Sequence, residues 1–264
     1  MELGLGFGLS SDEPAPAAGG GGGGINFALY FTLDINPAGT LYKTNATDTA
    51  VAATGDAVVR CYPDTTPETG DYLLDATTSP TWKDGAAGIN GNPTILVTAS
   101  TQALISNAMV LNQVFSTTAV VMGLCGKITT PPSSGTRQIF GDLFGGSALF
   151  KCNDGNVTAF LGVGSLYEKS AAYDGSGLFS LVMRWSDGVF DLWANGVKQT
   201  GTDTTGLINA TAIDAEKFYV VGGVGGGTTS VTWELLRGHA GATANTTDDD
   251  MQAVADAYET LLGR

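Results

Sequence analysis

Chemistry in a protein needs side chains that take a proton, attack a carbon or hold a metal, and this chain has few. It has one histidine, His239. A serine nucleophile would need that imidazole as its base and a carboxylate to orient it, and no Gly-x-Ser-x-Gly turn presents a serine. His239 follows Gly238 in a Gly- and Ala-rich stretch that reads as a loop just past a strand. Glycoside hydrolysis would need two carboxylates facing each other across a cleft. The seven glutamates (Glu2, Glu13, Glu68, Glu168, Glu216, Glu234 and Glu259) are scattered, with no Glu-x-Asp-x-x-Glu spacing. Asp142 and Asp191 alternate with apolar neighbours, as solvated positions of a half-exposed strand do. No catalytic residue is assigned, and the expectation is a protein that is not an enzyme.

Metal chemistry is equally thin. Cys61, Cys125 and Cys152 are odd in number and share no Cys-x-x-Cys spacing, so they read as small buried apolar residues rather than disulfide or zinc ligands. The oxygens of Asn153-Asp154-Gly155-Asn156 and Asp248-Asp249-Asp250 could attract calcium. The first stretch reads more simply as a hairpin turn and the second as a helix start. No metal and no cofactor is assigned.

Binding is the remaining kind of function. A sugar is recognised by an aromatic ring laid against its apolar face, with hydrogen-bonding groups around it. Tyr62, Tyr72, Trp82, Tyr167 and Tyr173 fall in polar, loop-like stretches and are the candidate glycan-binding aromatics. Trp185, Trp193 and Trp233 fall in apolar runs and read as core. Nucleic acid is excluded as a partner, because the net charge is −14 and no Lys/Arg cluster exists to meet phosphates. No apolar run is long enough to insert into a membrane as a helix. Met1-Glu2 and the glycine-broken stretch after it do not read as a secretory leader, so a chain folded in a reducing cytosol is expected.

The elements that must position these residues are strands. Thirty-eight glycines and 33 threonines in 264 residues favour pleated, turn-rich structure over helix bundles or doubly wound sheets. Residues 25–116 show short apolar runs between turn clusters. From 117 onward the runs sharpen: 118–128, 137–144, 148–152, 157–163, 178–185, 189–194, 197–199, 218–221 and 231–237. Asp187-Gly188 and Asn195-Gly196 are strong hairpin signals, since both central residues of such a turn take positive φ. This pattern predicts an all-β fold, an antiparallel two-sheet sandwich. One helix is predicted over 246–262. Thr247 would cap it, three aspartates would fill its first turn, and Met251, Val254, Ala255, Tyr258, Leu261 and Leu262 share one side.

Residues 1–24 differ from the sandwich of 25–264. Leu3, Leu5, Phe7 and Leu9 alternate with Gly4, Gly6 and Gly8, and a run of glycines from Gly19 to Gly24 follows a Pro-containing stretch. The glycine run is a flexible tether. The Leu-Gly alternation reads as an extended arm that docks on a partner through one apolar edge.

Several weak signals occur in a telling order. They are Gly39-Thr40-Leu41-Tyr42-Lys43, Thr49-Ala50-Val51, Gly55-Asp56-Ala57-Val58 and Pro80-Thr81-Trp82. The chain thereby resembles tailed-phage and prophage proteins that carry a concanavalin-A-like (laminin-G-like) jelly-roll domain. Phe190-Asp191-Leu192-Trp193-Ala194-Asn195-Gly196-Val197 resembles that family's Asn-Gly hairpin. Phe218 to Gly223, Val231 to Leu236 and the acid-capped terminal helix follow in the family's order, and the Leu-Gly arm is similar to the start of such phage proteins. Arg60-Cys61-Tyr62-Pro63 departs from the family's small polar pattern. The resemblance implies a jelly roll and a non-enzymatic virion structural protein, either capsid decoration or a tail or fibre accessory, made in the host cytoplasm. Its partners would be other virion proteins, further copies of itself as a homo-oligomer, or, in the alternative reading as an adhesin, a cell-surface glycan.

Burying three leucines and a phenylalanine yields about 1.5–3 kcal/mol each. Ordering the arm costs about 1–2 kcal/mol per residue. One arm is therefore marginal, and docking relies on several arms or on added contacts. Deleting residues 1–24 is expected to leave a folded sandwich that no longer loads onto particles, read by occupancy on purified virions. Normal occupancy would reduce the arm to a tail.

Overall fold

The computed structural model describes residues 31–34, 41–44, 49–61, 74–106, 119–142, 148–163, 165–186, 189–200, 204–207, 218–222, 231–241 and 246–264. The first strands among these are β1 (Phe31–Asp34), β2 (Leu41–Tyr42), β3 (Arg60–Cys61), β4 (Leu74–Thr78), β5 (Thr81–Lys83), β6 (Thr94–Val97) and β7 (Ala103–Ser106). Longer ones follow: β8 (Ala119–Thr130), β9 (Arg137–Asp142), β10 (Ala148–Cys152), β11 (Asn156–Val163), β12 (Ser165–Ala172) and β13 (Leu178–Ser186). The last are β14 (Val189–Ala194), β15 (Val197–Lys198), β16 (Thr204–Leu207), β17 (Phe218–Gly222) and β18 (Thr232–Gly241), before helix α1 (Asp248–Leu262).

The strands form two sheets. Sheet A runs β15-β14-β13-β8-β18-β6-β5, with β1 also paired to β18. Sheet B runs β16-β12-β11-β10-β9-β17-β7-β4-β3-β2. Every described pairing is antiparallel. This is the expected all-β, jelly-roll-like sandwich. Turn chemistry sets its register. Asn195 and Gly196 take φ of 49° and 76° between β14 and β15, the double positive φ that a two-residue hairpin requires. Gly155 takes φ 92° in the β10–β11 turn, where the Asn153 N–H donates to the Asn156 carbonyl at 3.0 Å. Asp187-Gly188 lies outside the described residues, but Ser186 pairs with Val189 on either side of it.

Strands β12 and β16 were not expected from the sequence. In β12 the run Glu168-Lys169-Ser170 hides the period, because Glu168 and Ser170 face outward while Lys169, buried, faces inward and donates to the Gln199 carbonyl at 3.2 Å. β18 also runs past the expected end and takes in His239, which is a strand residue rather than a loop residue.

The inner faces of the sheets share one core. Trp82, Trp185 and Trp233 sit there with Phe140, Phe150, Phe179, Phe190 and a set of aliphatic residues. A second cluster lies on the outer face of sheet A. Val121, Cys125, Val182, Trp193 and Leu236 meet Met251, Val254, Ala255, Tyr258 and Leu262 of α1. All three cysteines are buried and none forms a disulfide. The helix starts as expected: Thr247 and Asp250 form a reciprocal capping box, and three aspartates occupy the first turn. It ends at Gly263, in the left-handed region at φ 81°.

The fit of α1 on sheet A depends on Gly123. A Cβ at that position would lie 2.5 Å from the Tyr258 hydroxyl oxygen. Gly123→Ala is therefore expected to displace Tyr258 and destabilise the fold by about 1–3 kcal/mol, read by urea denaturation. Tyr258→Phe in the same chain should recover part of that loss, and a purely additive double-mutant cycle would contradict the clash.

Candidate ligand-binding face

Of the expected site residues, Leu3, Leu5, Phe7, Leu9, Tyr62 and Tyr72 lie outside the described residues. The other three do not form a platform. Trp82 is in β5, 4% exposed, and packs in the main core, where its indole N–H makes no hydrogen bond. Tyr167 is in β12, 8% exposed, with its ring stacked on Phe190 at 5.7 Å between centroids. Tyr173 follows β12, packs half-buried against the core, and accepts the Gly155 N–H on its hydroxyl at 2.8 Å. The polar flanks that suggested loops for Trp82 and Tyr167 belong to the outer faces of short strands. Strand alternation turns the rings themselves inward, away from any sugar.

Three charged residues on sheet A's outer face, Arg184, Asp191 and Lys198, form a network with the start of the helix. Asp191, expected on a solvated face, pairs with Arg184 and, at 3.1 Å, with Lys198. Arg184 and Lys198 each reach Asp248 at 2.6 Å, and Arg184 also donates to the Thr246 carbonyl at 2.9 Å. Both cations lie over the Trp193 ring, at 5.3 Å and 4.9 Å from its centroid. Lys198 and then Arg184, by hydrogen bonding, hold the Asp248 carboxyl below the usual carboxylate range. At the other end, Arg264 pairs with Glu259 at 2.8 Å and Asp174 at 2.9 Å. Asn90 and Asn92 both donate to the Leu261 carbonyl at 3.3 Å. Nearby, Glu234 is satisfied by Lys83 at 2.9 Å and Thr94 at 3.0 Å.

His239 is buried in this seam, its Nδ1 hydrogen-bonded to the Tyr258 hydroxyl and the two rings stacked at 5.4 Å. Burial, and then the Arg237 cation, push its pKa down to about 3, so the ring is neutral near pH 7. Burial drives the Cys152 thiol up to about 12, which removes its thiolate chemistry. Among the described residues no three His, Cys, Asp or Glu side chains converge as metal ligands.

The outer face of sheet B is different. Register places Gln138, Lys151, Thr158 and Ser170 in one row across β9, β10, β11 and β12. Phe160 and Glu168 are paired in the adjoining row. Their neighbours Val157, Ala159, Leu161 and Tyr167 point into the core, so these side chains point out. Gln138, Lys151, Phe160 and Glu168 are half-buried, Ser170 is exposed and Thr158 is buried beneath its neighbours. Lys151 Nζ lies 3.7 Å from the Phe160 ring centroid, and the Thr158 and Ser170 hydroxyls are 2.6 Å apart. Burial lowers the Lys151 pKa, and Glu168 opposes that shift. The result is a fixed donor above an apolar ring, beside a row of hydroxyl and amide groups. Sequence reasoning missed it because Phe160 sits in an apolar run that reads as core. The signal is its alternation with Ala159 and Leu161 once Glu168 is seen opposite.

The fold is an antiparallel two-sheet sandwich. Among solved structures, the chain is similar to the receptor-binding domain of botulinum neurotoxin C/D mosaic serotype, at 13% identity and TM-score 0.55, covering 88% of this chain and 52% of that one. It is similar to the botulinum neurotoxin serotype D binding domain at 10% identity and TM-score 0.54, with 88% and 52% covered. It is also similar to the serotype D ligand binding domain in complex with N-acetylneuraminic acid, at 12% identity and TM-score 0.50, with 88% and 52% covered. The chain thus spans about half the length of these structures, and at such identity the likeness is one of fold. No protein-family model matches the chain, and no curated protein sequence does.

A lowered lysine pKa means a larger neutral, nucleophilic fraction at a given pH. Lys151 is expected to be acylated by a limiting amine-reactive ester at pH 8 ahead of Lys198, whose pKa is raised. Peptide mass mapping reads the order, and the reverse order would contradict the environment described for Lys151.

Proposed function

We propose that the chain is a non-catalytic binding module that recognises a carbohydrate on the outer face of sheet B. The observation that carries this reading is the asymmetry of the sandwich. On sheet A, α1 covers the outer face of β15, β14, β13, β8 and part of β18. Sheet B's outer face keeps a ring, a cation, a carboxylate, an amide and the Ser170 hydroxyl in neighbouring positions. A sugar is amphipathic in the same way, with apolar C–H faces and hydroxyl edges, and Phe160 with Lys151, Glu168 and the Gln138 to Ser170 row offers partners for both. The net charge of −14 disfavours polyanionic glycans and points to neutral or singly charged ones. Further support is the fold likeness to receptor-binding domains, one of them solved with N-acetylneuraminic acid.

Display on a virion, through the arm of residues 1–24 and alongside other virion proteins, is the setting we propose for this module. The phage-like order of sequence segments supports it.

On a glycan array the full chain is expected to retain a small set of neutral or singly charged oligosaccharides. Phe160→Ala and Glu168→Gln should each weaken that binding tenfold or more, about 1.4 kcal/mol, with melting temperature unchanged. Retention of no glycan would overturn the reading, and undiminished binding by both variants would move the site elsewhere.

A further inference from the structure

Helix α1 is attached to the sandwich in an unusual way. It covers Val121, Cys125, Val182, Trp193 and Leu236 of sheet A, and the imidazole of His239 is buried in the middle of that cover. The hydroxyl of Tyr258 reaches down from the helix to Nδ1 of His239 over the open position left by Gly123. The ends of the helix are held by ion pairs, Asp248 to Arg184 and Lys198 at the start and Arg264 to Asp174 at the close. We propose that α1 is an acid-released strap: a fall in pH frees it from sheet A while the two-sheet core stays closed, uncovering an apolar face on the outside of sheet A.

The groups around His239 set the direction. On its own strand Arg237 is two positions away and opposes a second positive charge. From α1 the facing group is the Tyr258 hydroxyl. On β8, Gly123 is opposite His239 and the Cys125 thiol opposite Arg237. On β1, register places Thr32 opposite His239 and Asp34 opposite Arg237. A neutral ring can accept the Tyr258 proton at Nδ1, and a charged ring cannot. Released from the seam, the ring returns to its ordinary value of 6.5, against about 3 in place. The strapped state is therefore fully favoured above pH 6.5. It loses tenfold for each unit of pH between 6.5 and about 3, because the released state binds the proton first. Asp248 acts in the same sense but lower, since its contribution fades only below the ordinary aspartate value of 3.8. Between pH 6.5 and about 4 the release belongs to His239.

The cysteines report the event. Cys125 lies beneath α1, whereas Cys61 and Cys152 lie between the sheets. The full chain is labelled with a pyridyl disulfide, which reacts in acid, and the rate at each cysteine is normalised to a free cysteine peptide. From pH 7 to pH 5 the Cys125 rate is expected to rise about 25-fold, while Cys61 and Cys152 stay protected. His239→Gln, uncharged at every pH, should flatten the Cys125 response. A flat Cys125 rate in the wild-type chain would overturn the proposal. So would a joint rise at all three cysteines, which is global unfolding. An unchanged slope in a folded His239→Gln chain would also overturn it, and the wild-type comparison decides the matter if that variant does not fold.

Discussion

Strands β8 and β13 carry large apolar side chains at successive positions, and such a strand is stable only when both of its faces are covered. In β8, Met122 and Leu124 enter the main core while Val121 and Cys125 point the other way. In β13, Leu181 and Met183 point in and Val182 points out. Sheet B covers one side. The other requires a second layer, and the chain supplies it from its own end as α1. The cap at Thr247, the glycine at 123, the Trp193 ring beneath two cations and the Asn90 and Asn92 amides at the helix close all follow from that requirement. The last three fix where the helix lies on the sheet.

This arrangement also decides what is left for a ligand. Arg184 and Lys198 on sheet A's outer face hold Asp248 of α1, so Asp191, open to solvent by its sequence neighbours, is closed off by the same two cations. Sheet B has no helix on its outer face among the described residues. On its outward side the Thr158 and Ser170 hydroxyls meet and Lys151 rests on Phe160. Groups held in place in this way cost little reorganisation to a ligand that meets them.

Much of the fold was legible because short-range rules govern it. Asn195-Gly196 could be read as a turn from two residues, and the helix from its cap and the spacing of Met251, Val254, Ala255 and Tyr258. Trp185, Trp193 and Trp233 were legible as buried. What was not legible depends on pairing partners far along the chain. Trp82 lies in a strand of three residues, too short to show a period, and its burial comes from the core between the sheets, which only the pairing of β5 with β6 reveals. Tyr167 shares its strand with Glu168 and Lys169, and only the register with β11 shows that it faces in. Phe160 was hidden for the opposite reason: its apolar neighbours suggested core, while the strand pleat turned it out. The sequence carried no trace of His239 meeting Tyr258, because small residues around a histidine look like a loop until β8 and β1 are seen to flank it.

The two covers of sheet A differ in how they can fail. Opening the sandwich itself disturbs a core shared by both sheets, and at its rims it disturbs strands whose backbone groups are paired. Among the described residues, α1 exchanges no backbone hydrogen bond with a strand, and its own are internal or terminal. It is held by apolar contact, by side-chain hydrogen bonds such as Gln252 to the Gly196 carbonyl at 2.7 Å, and by ion pairs. Lifting it breaks no ladder. The free energy of that opening is therefore bounded by one amphipathic face and a few charges, well below that of unfolding the sheets, which is the condition for a local rather than a global transition. An element added to complete a core, and not woven into it, is the part of this architecture that can leave without taking the rest with it.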